Sequence, residues 1–389
     1  MDSGQPASDD PGLAALGWGP DFADAFTAMA LGPEVAPARV VAVDRGSYLV
    51  AGAFGPSRTG TEHRPALGAD GVDRRAMLAG RARHRTDDPA ALPVVGDWVA
   101  VAGSGGDLVR IDAVLPRRSW FARLAPGDQA AEQLLAANLD AVWLVASLEV
   151  EPNLRRLERY LAMAWEGGAQ PVVLLNKADL HPDLPGVSAA VAEIAPGVPV
   201  VAVSAVTGHG MDELGRWLEP GRTIALLGSS GVGKSTLTNR LLGAERQAVA
   251  ATREDGRGRH TTTRRELLRL PGGAMLIDTP GLRTVLLGQA GDGVEHAFAD
   301  IEQLAHGTPD GTPGCRFADC RHDSEPGCQV RQAVEDRRLD PERLAAWARL
   351  QRELAWLASR EDPFARAVRG RQWRAASKSL RAMQRWHKP

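Results

Sequence analysis

The sequence of 389 residues predicts a multidomain protein with an N-terminal β-barrel, a central α/β domain and a mainly helical C-terminal region. Short β-branched runs between Gly and Asp turns fill residues 39–114, which favours a barrel. Apolar runs then alternate with amphipathic stretches from 140 to 277, and no strand pattern returns after Gly291. The first dozen residues are rich in Asp, Ser, Gly and Pro and predict a loose tail. We expect a flexible segment at 1–36, the barrel at 37–118, the α/β domain at 119–290 and the helical domain at 291–389.

The barrel prediction rests on four strand-like runs. A hairpin is indicated by Arg39–Val43 and Ser47–Ala51, and the runs Trp98–Ala102 and Leu108–Val114 follow glycine turns. This pattern is typical of a small barrel of the oligonucleotide-binding type (OB-fold). A basic stretch between the runs is either a solvated rim or a binding surface, and comprises Arg81, Arg83, His84 and Arg85.

The α/β prediction rests on strand and helix alternation, which builds a mostly parallel sheet covered on both faces. The apolar runs are Val142–Ala146, Pro171–Leu175, Val198–Val203, Thr223–Leu227 and Ala274–Ile277, and the amphipathic stretches include Asn153–Trp165 and Met211–Leu218.

A glycine-rich loop follows one of these runs and fits the P-loop pattern G-x-x-x-x-G-K-[ST]. Its residues are Gly228, Ser229, Ser230, Gly231, Val232, Gly233, Lys234 and Ser235, and a helix-like stretch begins at Thr236. Backbone N–H groups of such a loop hold phosphate oxygens, Lys234 adds positive charge, and the Ser235 hydroxyl is a ligand for Mg²⁺. The run Asp278-Thr279-Pro280-Gly281 at a neighbouring strand end predicts a second Mg²⁺ contact from Asp278 and an N–H of Gly281 for the γ-phosphate.

A guanine-reading pattern occupies Asn176, Lys177, Ala178 and Asp179, directly after an apolar run. A carboxylate at its fourth position can accept from both N1–H and the 2-amino group of guanine, which adenine does not offer. Ser204 and Ala205, at another strand end, can close the base pocket. These motifs precede the phosphate motifs, whereas most GTPases have the reverse order, so the sequence predicts a circular permutation.

The C-terminal region carries all three cysteines of the chain. Cys315, Cys320, His322 and Cys328 form C-x₄-C-x-H-x₅-C, which predicts a closed, structural Zn²⁺ site, with free cytosolic thiols as the alternative. A helix is predicted to begin at Asp340-Pro341, a favourable N-cap and first position.

Charge is distributed unevenly although the whole chain has a net charge of −2. Residues 364–389 contain eight Lys or Arg and no acid. Five of them are spaced so that they fall on one helical face: Arg371, Arg374, Lys378, Arg381 and Arg385. This pattern favours an RNA-backbone contact over a solvated surface helix or a membrane-surface helix. No apolar run reaches the ~18 residues of a membrane span and the N-terminus is acidic and polar, so we expect a cytoplasmic protein without a membrane partner.

With these motifs the sequence resembles the circularly permuted, ribosome small-subunit-dependent GTPases of bacteria, from about Arg39 to Arg385. The resemblance rests on the P-loop, the guanine motif, Asp278–Gly281, the Cys/His cluster and the segment Gly258–Thr263. It implies an OB-fold, a permuted GTPase domain and a C-terminal zinc domain. It also implies binding of 16S rRNA and GTP/GDP, late maturation of the 30S subunit, and hydrolysis stimulated by that subunit.

The water-orienting residue is a separate question, because Leu282 stands where many GTPases have a Gln after the D-x-x-G glycine. The resemblance assigns this role to His260, which is otherwise a solvated loop histidine. One of Thr261–Thr263 should contact Mg²⁺ and the γ-phosphate, and Thr262 is taken as the candidate. We expect a monomeric GTP hydrolase, with a zinc-containing RNA-binding switch that hardly turns GTP over as the alternative.

Overall fold

The computed structural model describes residues 10–44, 46–52, 73–80, 91–103, 108–124, 132–243, 265–278, 292–308 and 311–361. Five strands form the barrel: β1 (Val35–Asp44), β2 (Ser47–Gly52), β3 (Arg74–Leu78), β4 (Trp98–Ala102) and β5 (Leu108–Val114). They pair in the order β1-β2-β3-β5-β4, and β4 returns to β1, which closes the barrel. β3 and β5 run parallel, while the other neighbours are antiparallel. The predicted OB-fold barrel is therefore confirmed.

The central sheet is built from β8 (Ala141–Ser147), β9 (Gln170–Asn176), β10 (Val200–Val203), β11 (Thr223–Leu227), β12 (Arg265–Arg269) and β13 (Met275–Asp278). Its order is β10-β9-β8-β11-β13-β12, with β12 antiparallel and the others parallel. β12 also pairs with β1 through Ala42 opposite Glu266, so the barrel and the central sheet are hydrogen-bonded to each other. The predicted parallel sheet is confirmed.

Both faces of this sheet are buried, which explains its continuous apolar strands. On one face Val142 and Leu144 pack with α3 (Leu154–Glu166) and α4 (Leu184–Ile194). On the other face Trp143 and Val145 pack with α5 (Lys234–Leu242). Alternate residues of β8 therefore belong to two different cores.

Several elements differ from the sequence prediction. Met211–Leu218 was expected to be an amphipathic α-helix, but Asp212–Trp217 is a 3₁₀-helix that buries Leu214 and Trp217. A spacing of three places both side chains on one edge of a 3₁₀-helix. The hairpin of β6 (Trp120–Leu124) and β7 (Glu132–Ala137) has no strand pattern, since β7 reads Glu-Gln-Leu-Leu-Ala-Ala. These are good helix formers, and tertiary pairing overrides their preference.

The flexible segment predicted at 1–36 is wrong from residue 10 onward. α1 (Pro11–Ala14), α2 (Pro20–Ala28) and the turn between them lie against the barrel; Leu16 and Trp18 of the turn and Phe22 of α2 are buried. Trp18 lies edge-on to Trp98 of β4, with ring centroids 4.6 Å apart. The prediction rested on the composition of the first dozen residues and overlooked the large apolar side chains that follow them.

Arg39 is buried where the N-terminal segment, the barrel and the start of β8 meet. It is 1% exposed, and it donates to the carbonyl oxygens of Leu16, Gly96 (3.2 Å) and Asn138 (3.1 Å). Burial lowers the pKa of Arg39 to about 10, with the nearby Asp140 charge opposing that shift. One guanidinium thus joins the N-terminal helices, the barrel and the start of β8.

The C-terminal region contains α6 (Asp292–Ala297), α7 (Ala299–His306), α8 (Gln329–Glu335) and α9 (Pro341–Glu361). α9 begins where predicted, and the Asp340 carboxylate accepts from the Glu342 N–H at 2.8 Å. α6 lies close to α3 at Gly293, where a Cβ would be 2.0 Å from the Ala162 carbonyl oxygen. In the described part of 292–361 no strand occurs, as predicted. Among the described helices, none has the length and apolar character needed to cross a membrane.

Candidate nucleotide site and metal cluster

The predicted phosphate loop joins the end of β11 to the start of α5. Gly231 and Gly233 have φ of +84° and +95°, a backbone region that side chains rarely adopt. A Cβ at Gly233 would lie 2.3 Å from Asn176 Nδ2, so this position also requires glycine for space. The loop ends at the N-terminus of α5, where N–H groups and the helix dipole favour an anion.

Lys234 is the first residue of α5, and its ammonium group turns back over the loop. It donates to the carbonyl oxygens of Gly228 and Ser229, both at 2.7 Å. Ser235 and Thr236 follow in the first turn of the helix and are half-buried. The loop therefore presents a positive charge, backbone N–H groups and a hydroxyl at one place, as phosphate and Mg²⁺ binding need.

Asn176 connects the base motif to the phosphate loop. Its side chain is 1% exposed, and Nδ2 donates to the Val232 carbonyl oxygen at 2.8 Å. Its Oδ1 accepts from the Ala205 N–H at 3.3 Å. One amide therefore holds together the three segments that the sequence predicted separately.

The rest of the base motif lies at the same edge of the sheet. Lys177 has φ of 63° and pairs with Glu149, while Asp179 lies in a 3₁₀-helix with its side chain exposed. Ser204 is fully buried, and its hydroxyl accepts from the Thr207 N–H at 3.1 Å. Asn176 and Ser204 thus order the edge, while Asp179 faces outward.

The parallel strands all end at this edge. β10 runs in register with β9, so Val203 is opposite Asn176, and β11 lies between β8 and β13. Asp278 is the last residue of β13. Ligands of open α/β sheets bind outside the carboxyl ends of the strands.

The four predicted metal ligands form a compact cluster. One ligand atom from each of Cys315, Cys320, His322 and Cys328 lies within 4.8 Å of the others. His322 Nδ1 is 3.4 Å from Cys328 Sγ and 3.7 Å from Cys315 Sγ. These separations suit a tetrahedral ion with metal–sulfur bonds of about 2.3 Å. Burial lowers the pKa of His322, which keeps the imidazole neutral as a ligand must be.

Comparison with known proteins decides the family. The RsgA GTPase family model matches residues 114–288. The small ribosomal subunit biogenesis GTPase RsgA of Opitutus terrae is 48% identical over 96% of this chain and 98% of its own length. The chain belongs to the RsgA GTPase family. A second RsgA, from Streptomyces coelicolor, is 44% identical over 94% of this chain and 93% of its own.

Two solved structures share the fold of this RsgA-family chain. YjeQ from Thermotoga maritima has a TM-score of 0.57 at 25% identity and covers 82% of this chain and 99% of its own. YloQ, described as a circularly permuted GTPase, has a TM-score of 0.55 at 20% identity over 83% of this chain and 96% of its own. The resemblance and the permuted GTPase fold are therefore confirmed.

Some predicted positions of this RsgA-family chain lie outside the described residues. They are Gly258–Thr263 with His260 and Thr262, Gly281, Leu282, the basic stretch Arg81–Arg85, and residues 364–389. For Asp278 the structure describes the backbone, as the last residue of β13, and not the side chain.

Sequence reasoning missed a carboxylate that orders the loop of the Cys/His cluster, between Cys320 and Cys328. Glu325 accepts from the N–H groups of Arg321, Asp323 and Ser324 at 3.0–3.1 Å. These bonds, with one from its own N–H, lower the pKa of Glu325 to about 2. The bonds close residues 321–325, which contain His322 and directly follow Cys320. A lone Glu between cysteines has no sequence signal for this role.

Sequence reasoning also missed a charge cluster between α3 and the C-terminal helices. Arg343 of α9 donates to Glu158 of α3 at 3.0 Å and to both carboxylate oxygens of Asp300 of α7 at 2.6 Å. The Glu158 side chain is fully buried, and burial raises its pKa while Arg155 and Arg343 oppose the shift. We call Arg343, Glu158 and Asp300 the α3–α9 clamp.

Proposed function

We propose that this RsgA-family GTPase acts in late maturation of the small (30S) ribosomal subunit, binding 16S rRNA and hydrolysing GTP under stimulation by the subunit. The observation that carries this proposal is 48% identity, over 96% of the chain, to a protein named for small ribosomal subunit biogenesis. We also propose that it acts as a cytoplasmic monomer with domains at 37–118, 119–290 and 291–389. The basic residues of 364–389 supply the RNA-backbone contact in this proposal, through charge on one helical face.

For the nucleotide we propose that phosphates bind the loop and guanine binds beside Asp179. The geometry of Asn176, Gly233 and Lys234 supports this assignment. The proposed nucleotide contacts are Asn176, Lys177, Asp179, Ser204, Ala205, Gly228, Ser229, Ser230, Gly231, Val232, Gly233, Lys234, Ser235, Thr236, Thr262, Asp278 and Gly281.

In the proposed reaction, water attacks the γ-phosphate in line and GDP leaves with the electron pair of the broken P–O bond. Lys234 stabilises negative charge on the β- and γ-phosphate oxygens, and His260 orients the water. Ser235 and Asp278 would hold Mg²⁺, which when bound neutralises charge on the phosphates.

We propose that the Cys/His cluster holds one structural Zn²⁺. Three thiolates and an imidazole within 4.8 Å match the soft donor set that zinc takes in closed sites. Four protein ligands leave no position for a substrate, so this metal orders the segment around it rather than reacting.

The test is GTP turnover of the full chain with and without isolated small subunits. We expect the subunit to raise turnover, and Lys234→Ala to lower stimulated turnover by about 100-fold or more. His260→Ala should keep GTP affinity and lose stimulation.

Tight GTP binding with negligible turnover in both conditions would instead support the RNA-binding switch. Stimulation by an unrelated structured RNA, but not by the subunit, would contradict the ribosomal role.

A further inference from the structure

The hydroxyl of Ser229, the second residue of the phosphate loop, is held by helix α3. Arg156 Nη1 donates to Ser229 Oγ over 2.6 Å, a short bond of the charge-assisted kind. A side chain of α3 thus contacts the phosphate loop directly at this serine.

The backbone of Ser229 faces the proposed phosphate-binding lysine. The Ser229 carbonyl oxygen accepts from Lys234 Nζ at 2.7 Å, and the Gly228 carbonyl oxygen accepts from the same ammonium group at 2.7 Å. Arg156 and Lys234 therefore bind the side chain and the main chain of the same residue. Any displacement of Ser229 moves an acceptor that sets where the ammonium group lies.

α3 is itself anchored where it approaches the loop. The Asn153 side chain caps the helix by accepting from the Arg156 N–H at 2.9 Å. The neighbouring Arg155 and Arg159 point toward α9, where they pair with Glu342 and Glu353 at 2.8 Å. Arg156 is the member of this arginine group that donates to the phosphate loop.

The P-loop pattern leaves residue 229 free to be any amino acid, since its second position is unspecified. A serine there gains a partner only if another element supplies one, and Arg156 supplies it in this chain. The pairing is therefore a property of these two positions rather than of the motif.

We propose that Arg156 is a positioning residue for GTP binding that acts through Ser229 to set the position of the Lys234 ammonium group. This inference rests on the proposed nucleotide site. Because the substitution at Arg156 keeps the Lys234 ammonium group and only loosens one of its carbonyl acceptors, it should raise KM more than it lowers kcat, unlike removal of Lys234 itself.

The experiment is a double-mutant cycle on the full chain with Arg156→Met, Ser229→Ala and the double variant. Fluorescent GTP and GDP analogues report affinity, and basal turnover gives kcat and KM. Each single substitution should weaken both nucleotides and raise KM by about 3- to 10-fold, with kcat within about twofold. The double variant should be no weaker than either single, because both remove one interaction. Arg156→Lys should restore part of the affinity.

Arg269→Met is the matched control, since it also removes one exposed arginine. Arg269 of β12 is opposite Met275, the first residue of β13, and so lies at the end of the sheet away from the phosphate loop. The control variant should leave affinity and KM unchanged. Additive effects of the two single substitutions would overturn the inference, as would wild-type affinity in Arg156→Met. Loss of GTP affinity with GDP affinity intact would also overturn it, because that result indicates direct contact with the γ-phosphate. If Lys234→Ala binds both nucleotides like wild type, the proposed site itself fails.

Discussion

At the scale of single residues, the proposed nucleotide site contains side chains that hold its loops together. Asn176 is buried and joins the carbonyl of Val232 to the N–H of Ala205. Its amide can donate and accept at once, which an aspartate of the same shape cannot do. The first residue of the motif therefore also holds the loops of this edge together, and Asp179 is exposed beside it.

Asn176→Ala should weaken GTP binding by about 10-fold or more, since it leaves a buried carbonyl and a buried N–H without this partner. The free energy of unfolding should fall by roughly 1–3 kcal/mol. Asn138→Ala is a matched control, because Asn138 is also buried and bridges Gly96 and Arg118 before β8 begins. It should lose similar stability and keep GTP affinity. Equal loss of affinity in both variants, measured by nucleotide titration, would contradict the bracing role.

At the scale of elements, prediction succeeded where local pattern and tertiary context agree. The strand Thr223–Leu227 was predicted with its observed bounds because it is apolar, β-branched at its start and followed by glycine. β7 was missed, since its residues favour a helix and only pairing with β6 makes it a strand. Motif residues could likewise be found from spacing, but Arg156 bonds a serine 73 residues away that only the fold brings near. Glu325 bonds N–H groups of its own loop, and no sequence pattern indicates that turn.

The loop of the metal cluster gives a prediction at this scale. Glu325→Gln keeps one acceptor but loses the charge that three N–H groups contact, so metal release to a chelator should be about 10-fold faster. Fresh wild-type protein should contain one zinc per chain by metal analysis. The folded-state pKa of Glu325, about 2, lies below its unfolded value of 4.5. Its contribution to stability is therefore complete above the unfolded pKa and is lost as the pH falls from there toward 2. The effect should therefore be constant between about pH 6 and 8.

The control is Glu335→Gln, which removes the same charge on the exposed face of α8, where Glu335 pairs with Arg331. It should release metal at the wild-type rate. Equal release rates for the two variants would show that Glu325 does not order the loop.

At the scale of the whole molecule, α3 is the element that the nucleotide edge and the C-terminal region share. It contacts the phosphate loop through Arg156 and contacts α9 through Arg155, Glu158 and Arg159. α9 in turn packs Trp347 against His322 of the metal cluster, with ring centroids 5.1 Å apart. A continuous set of contacts thus runs from the proposed phosphate site to the metal cluster.

The α3–α9 clamp should therefore control how firmly the C-terminal region is attached. Arg343→Met leaves the buried Glu158 and the paired Asp300 without this cation, and we expect a loss of about 3 kcal/mol in the free energy of unfolding. Adding Glu158→Gln should recover part of that loss, because it removes a buried negative charge that has only Arg155 left as its cationic partner. Denaturant unfolding of the two variants and wild type measures both effects, and a double variant less stable than Arg343→Met would contradict the clamp.

The pH dependence of that variant tests the electrostatic cause. Burial raises the folded-state pKa of Glu158 above its unfolded value, and removing Arg343 raises it further because a neighbouring cation is lost. A raised folded pKa favours folding most at low pH, and this contribution is lost as the pH rises through the folded value. The stability deficit of Arg343→Met should therefore shrink as the pH falls from about 8 to about 5, while that of the double variant should not. A deficit independent of pH would show that the charge on Glu158 is not its cause, and that Arg343 stabilises the interface through Asp300 and through packing on Phe298, 4.7 Å from its guanidinium.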